Sequence, residues 1–230
     1  MTLSIANGWT IVFDLDGTLV DTAPDLIVAV NHALTGAGHA PIQPAVLYPA
    51  VSLGARRMIE VGLEHQGKAV DVAAVDAMTK VMLAYYTEHV AVESRPYPGL
   101  VEILETLAGH GATLAVCTNK MEVLSLKLLR ALDLERHFAA ICGRDTFPVC
   151  KPHPGHLFQT ISAARGEPQR AVMIGDSDVD IATAKAARVP VVGMTHGYCE
   201  RPLTEFEPDV IIDDFAGLGG ALVHLMTRPG

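Results

Sequence analysis

Four short stretches carry the residues best suited to chemistry. DLDGTLVD (14–21) sets Asp14, Asp16 and Asp21 directly behind the apolar run WTIVF (9–13). Thr118 and Asn119 follow ATLAVC (112–117), Lys151 stands in CKPHP, and Asp176, Ser177, Asp178 and Asp180 follow AVMIG (171–175). Carboxylates this close repel one another and hold their protons more tightly unless a cation lies among them. A hard divalent ion resolves the conflict. Mg²⁺ prefers oxygen ligands, takes one or two carboxylates together with water, and commonly accompanies phosphate. Asp14 and Asp176 supply such carboxylates, Asp16 can add its backbone carbonyl, and Lys151 brings a further positive charge for a bound anion. Gly17 permits a sharp turn after the strand and leaves backbone N–H groups free to face that anion. Phosphate is the natural guest, and a carboxylate beside Mg²⁺ and a lysine can attack phosphorus directly, forming an aspartyl-phosphate.

These residues need a frame that brings the ends of separate strands together. Short β-rich runs at 9–13, 112–117, 139–142, 171–175, 189–194 and 209–213 alternate with amphipathic segments at 99–110, 121–132, 153–165 and 178–187, as in a parallel sheet flanked by helices. The expected fold is a doubly wound, Rossmann-like α/β core, in which ligands bind at the carboxyl ends of the strands. Almost a hundred residues separate the first run from the second, where a crossover needs a dozen or a few more. Residues 22–92 read as helices, with Thr22 as a candidate N-cap and Pro24 in the first turn. The expected division is therefore a core of 1–21 plus 93–230 and an inserted helical cap of 22–92. ESRPYPGL (93–100) reads as the return hinge.

The 230 residues carry 17 Lys plus Arg against 26 Asp plus Glu, a formal charge of −9, with no basic run to meet a polyanion, so nucleic acid is a poor partner. Cys117, Cys142, Cys150 and Cys199 form no C-x-x-C pair and read as free thiols, buried or half-buried. MTLSIANGWT lacks the features of a signal peptide and no apolar run is long enough for a membrane span, so the expectation is a soluble cytoplasmic protein with no membrane partner. Monomer and homodimer both stay open.

With all four motifs in order, the chain resembles the haloacid dehalogenase superfamily of phosphohydrolases. DLDGTLVD matches its first motif, TN its second, Lys151 in KPHP its third and GDSDVD its fourth, and the insertion resembles its C1-type cap. The resemblance implies that Asp14 is the nucleophile and that Asp16 protonates the leaving alcohol and then activates water. It implies that Thr118, with Asn119 beside it, binds a phosphoryl oxygen and that Lys151 neutralises charge. It also implies that Asp14, the carbonyl of Asp16 and Asp176 hold Mg²⁺, with Asp180 acting from behind them and Ser177 or Asp178 assisting. DGTLVDTAPDL, TNK, KPHP and PDVIIDDFAGL are most similar to the phosphoglycolate phosphatase branch, which implies a small phosphorylated metabolite, 2-phosphoglycolate, as substrate. Arg188 stands where the family has a glycine, a departure at a helix end that leaves the chemistry intact. A phosphosugar mutase or a pyrophosphatase on the same scaffold and a non-catalytic sensor of phosphorylated metabolites are the alternatives. Dehalogenation needs neither Mg²⁺ nor an acid at Asp16.

Some residues have a bland reading beside the functional one. Thr118 is read as both a helix N-cap and a phosphate ligand. Asp178 suits the first turn of a helix as well as it suits the site. His153 and His156 form an H-x-x-H without a third ligand and are read as surface histidines. GLGG (217–220) reads as a turn or helix cap. Arg56, beside Arg57 in the cap, could set a guanidinium over a small anionic substrate.

Overall fold

A computed structural model describes residues 3–227; Met1, Thr2 and residues 228–230, at the ends of the expected core, lie outside it. Six parallel strands form the main sheet: β1 (Thr10–Phe13), β4 (Thr113–Cys117), β5 (Ala140–Cys142), β6 (Ala171–Gly175), β7 (Val191–Met194) and β8 (Val210–Ile212). Their order is β5-β4-β1-β6-β7-β8, so the chain winds outward from β1 in both directions. Every residue of β1 and β6 is buried, while edge strand β8 is half-buried throughout. That gradient explains why the central strands are unbroken apolar runs, since helices cover both faces of the sheet.

The expected helices are present, three with slightly shorter bounds, α5 (Leu100–Gly109), α6 (Glu122–Ala131) and α7 (Pro154–Ala163), and α8 (Asp178–Ala187) with the expected ones; α9 (Leu218–Met226) is the last helix among the described residues. Helix α8 starts at a capping box, in which Ser177 and Asp180 exchange side-chain and backbone hydrogen bonds, and it ends at Arg188 with φ +54°. Arg188 thus takes a left-handed position that glycine occupies more easily.

Between β1 and β4 the chain forms α1 (Ala23–Gly36), α2 (Pro44–Leu47), α3 (Ala55–His65) and α4 (Val72–Glu88), with α4 packed against α1 and α3. The stretch 44–66 is broken by a 3₁₀ turn and by Gly54 at φ +92°. The expected hinge contains a strand: β2 (Val20–Asp21) pairs antiparallel with β3 (Arg95–Pro96), tying together the two connections between sheet and helices. Asp25 in α1 reinforces this tie by accepting hydrogen bonds from the backbone N–H groups of Glu93 and Ser94 and from the Ser94 hydroxyl. Thr22 precedes α1 but makes no side-chain cap; its hydroxyl donates to Asp16 at 2.7 Å instead. Among the described residues no helix is long and apolar enough to cross a membrane.

Candidate active site

The site lies where β1, β4 and β6 end. β1 delivers Asp14, whose N–H donates to the Ile174 carbonyl on β6, so the nucleophile candidate sits on backbone locked into the sheet. Lys151 lies 2.8 Å from Asp14 Oδ1 and 2.6 Å from Asp180 Oδ1, with a side chain only 2 % exposed. Two further bonds fix the Lys151 backbone. Asn119 Nδ2 donates to its carbonyl at 3.0 Å, and its N–H donates to His156 Nδ1 at 3.2 Å. His156 is therefore buried, not a surface histidine, and burial followed by the nearby Lys151 charge lowers its pKa to about 4. His153 is exposed and caps α7 by accepting from the N–H of Gly155.

Asp176 is wholly buried. Its Oδ1 accepts from the Thr18 hydroxyl at 2.7 Å and its Oδ2 from the Tyr198 N–H at 2.9 Å. Gly17, at φ +83°, passes so close that a Cβ there would stand 2.5 Å from Asp176 Oδ2. Any larger residue would drive into the carboxylate, and the left-handed backbone also disfavours one. Asp180 Oδ2 accepts from both the N–H and the hydroxyl of Ser177.

Asp16 has different neighbours. Lys120 Nζ contacts its two carboxylate oxygens at 2.9 and 3.2 Å, and the Thr22 hydroxyl donates to it. Lys120 also lies over the ring of the buried Tyr86 of α4, 4.6 Å from its centre, so one ammonium links the sheet side to the helical insertion. Burial lowers the Lys120 pKa, but Asp16 and Tyr86 carry it above the ordinary value. Asp21 accepts from the Tyr198 hydroxyl at 2.6 Å.

Asp14, Asp176 and Asp180 each offer a carboxylate oxygen, and these three atoms lie within 4.8 Å of one another. Burial first, then Asp180, raises the Asp14 pKa to about 6 against the pull of Lys151. Burial, Asp180 and Asp14 raise that of Asp176 well above the usual carboxylate range. Of these three buried carboxylates only Asp14 and Asp180 meet the Lys151 ammonium, and the surplus negative charge, borne on hard oxygen donors, suits a divalent metal ion. Asp180 is already paired with the Lys151 ammonium and with Ser177, whereas Asp176 accepts only from the neutral donors Thr18 and Tyr198, which leaves its charge uncompensated for an ion.

A cavity of about 480 Å³ opens above these groups, between the strand ends and the helices of 22–92. Asp14, Asp16, Thr118, Asn119, Lys120 and Lys151 line its sheet side, and Val51, Met58, Leu83 and Tyr86 belong to its helical side. Buried carboxylates, a captive lysine and a cavity at the carboxyl ends of a parallel sheet form a setting for phosphoryl chemistry. The family model for haloacid dehalogenase-like hydrolases matches residues 11–194, which include all four motifs. The chain belongs to this family. A phosphoglycolate phosphatase of Mesorhizobium japonicum is 47 % identical over 95 % of this chain and 96 % of its own, and one of Caulobacter vibrioides is 41 % identical over 98 % and 95 %. The crystal structure of a protein from Haemophilus somnus, described as a predicted phosphoglycolate phosphatase, superposes with a TM-score of 0.86 at 31 % identity, covering 93 % of this chain and 97 % of that one.

One further sequence expectation needs correction at the site. Thr118 does not cap α6, whose N-cap is Met121; its hydroxyl accepts from the Lys120 N–H within the turn that follows β4. Arg56 lines the cavity, but its guanidinium is engaged by Glu60 at 3.0 Å and by Asp76. Arg57 pairs with Glu60 and Glu64. Asp178 is the first residue of α8, and Gly217 precedes α9, with Gly219 and Gly220 inside that helix. Lys120, Thr18 and Tyr198 escaped the sequence reading. Lys120 was within reach, because TNK places it two residues behind Thr118, whereas Thr18 and Tyr198 reach Asp176 only through long-range packing.

Proposed function

We propose that the chain is a Mg²⁺-dependent phosphatase of small phosphorylated metabolites, with 2-phosphoglycolate as its substrate. One observation carries this reading: Asp14 and Asp16, two residues apart at the end of β1, meet different cations, Lys151 at 2.8 Å and Lys120 at 2.9 Å. Two adjacent carboxylates with separate partners can take separate roles, one as nucleophile and one as proton carrier. The phosphoglycolate phosphatase names of the Mesorhizobium and Caulobacter relatives support the substrate. A cytoplasmic location goes with a metabolite of this kind.

In this reading Asp14 attacks phosphorus while Asp16 gives a proton to the departing alcohol, leaving an aspartyl-phosphate on Asp14. Asp16 then takes a proton from the water that attacks the same phosphorus, and phosphate leaves. Lys151 offsets charge on Asp14 and on the phosphoryl group, held in place by Asp180 behind it, with Ser177 fixing Asp180. Thr118, Asn119 and the backbone at Gly17 receive the phosphoryl oxygens. Asp14, Asp176 and the carbonyl of Asp16 would hold Mg²⁺, which when bound supplies positive charge beside those oxygens. Residues 22–92 act as a cap, excluding water and presenting their apolar wall to the substrate.

Phosphate release from 2-phosphoglycolate, β-glucose 1-phosphate and pyrophosphate, each with Mg²⁺ and with a chelator, tests the proposal. The expected result is fastest release from 2-phosphoglycolate and none after chelation. Failure to release phosphate from any of the three, or turnover of a haloacid in the chelator, would overturn it.

A further inference from the structure

Four cations line the cavity, and three of them are already committed. Lys151 is held by Asp14 and Asp180, Lys120 by Asp16, and Arg56 by Glu60 and Asp76. The fourth, Arg144, has no carboxylate within ion-pair distance among the described residues, although the chain as a whole is acidic.

The backbone under Arg144 is fixed while its side chain is exposed. Its N–H donates to the Lys120 carbonyl at 2.9 Å, joining this loop to the turn that carries Thr118 and Asn119. Asp145 Oδ1 accepts from the Glu122 N–H at 2.8 Å, and the Thr146 hydroxyl accepts from the Gly143 N–H and donates to Glu122. Gly143 presses so closely on the start of α6 that a Cβ there would lie 2.2 Å from the Glu122 nitrogen. A guanidinium on such an anchored base loses little backbone freedom when it meets a ligand.

A two-carbon phosphorylated acid offers almost no apolar surface, and the cavity is far larger than it can fill. Its affinity must come from charge at its two ends. Lys151 and the strand-end groups face the phosphoryl end, so the carboxylate end needs a separate, unspent cation with a forked donor geometry.

We infer that Arg144 binds the carboxylate of the substrate and selects phosphate esters of small hydroxy acids over uncharged esters of the same size. The inference rests on the phosphatase reading above. It assigns selectivity to the loop after β5, with Arg56 already paired to Glu60 and Asp76 and Arg57 paired within α3.

The test compares 2-phosphoglycolate with ethyl phosphate, which replaces the carboxylate by a methyl group, in the wild type, Arg144→Gln and Arg144→Lys. The wild type is expected to prefer 2-phosphoglycolate in kcat/KM. Arg144→Gln should cut that preference by about 10- to 100-fold, the range for losing a charged hydrogen bond, through KM and not kcat. Arg144→Lys should retain part of it, and matching thermal transitions of the three proteins would exclude a folding defect. An unchanged preference in Arg144→Gln, or an equal loss on both esters, would overturn the assignment to Arg144. A wild type that hydrolyses neither ester overturns the phosphatase reading itself, and does so before any variant is made.

Discussion

The two walls of the cavity hold their charges in opposite ways. On the sheet side, Lys151, Asp14 and Asp180 are 2 %, 11 % and 0 % exposed, and each bond among them has been taken out of water. On the helical side, Arg56, Glu60 and Asp76 are 44 %, 20 % and 51 % exposed and form pairs that water can replace. Opposite charges attract on both walls, but only burial turns the attraction into a fixed geometry. Chemistry therefore belongs to the wall whose charges cannot relax. The other wall can change shape or sequence at little cost.

The largest expected break of this contrast is Asp14→Asn. It should reduce phosphate release by about a thousandfold or more, measured at saturating substrate with Mg²⁺, because an amide cannot serve as the nucleophile. Lys151→Met comes next. Removing the ammonium strands Asp14, Asp176 and Asp180 together, and urea denaturation of the metal-free protein should register a loss of about 3–5 kcal/mol.

A smaller effect follows from the Asp14 carboxyl, raised from 3.8 to about 6 mainly by burial. The folded protein then binds this proton more tightly than the unfolded chain. Its contribution is fully present below pH 3.8, fades as pH rises through about 6, and is absent at higher pH. Metal-free wild type should therefore lose on the order of 1–3 kcal/mol relative to Asp14→Asn between pH 4 and 7, followed by urea titration at each pH. Added Mg²⁺ should flatten the difference. The smallest effect is expected on the opposite wall: Arg56→Ala should change stability by less than about 1 kcal/mol in the same assay. A loss as large as that of Lys151→Met would erase the contrast between the walls.

Much of the sheet side was legible in the sequence because its logic is local. Asp14, Thr118 and Asp176 each follow an apolar run, and a fully buried strand can only deliver a polar group at its end. Arg188 was legible too, as a helix-terminating position with φ +54°. What escaped depends on contacts between distant segments. Nothing in H-x-x-H tells that His156 turns inward to accept from the Lys151 N–H while His153 stays outside as a cap. Tyr86 looks like any apolar residue of α4 until Lys120 is seen over its ring. Thr22 carries the side chain of an N-cap, yet its hydroxyl goes to Asp16, a stronger acceptor six residues back. The β2–β3 ribbon was hidden for another reason: two-residue strands leave no periodic trace.

The central claim is that Asp14, held on buried backbone beside Lys151, takes the phosphoryl group onto its own carboxylate. Quenching the protein during turnover of 2-phosphoglycolate and reducing it with borohydride converts an acyl phosphate to an alcohol, so peptide mass analysis reads the site directly. Homoserine is expected at position 14 in the wild type with substrate and Mg²⁺, and unmodified peptide when substrate is omitted. Steady phosphate release with position 14 unmodified, or with the reduced carboxylate at Asp16 or Asp176, would contradict it.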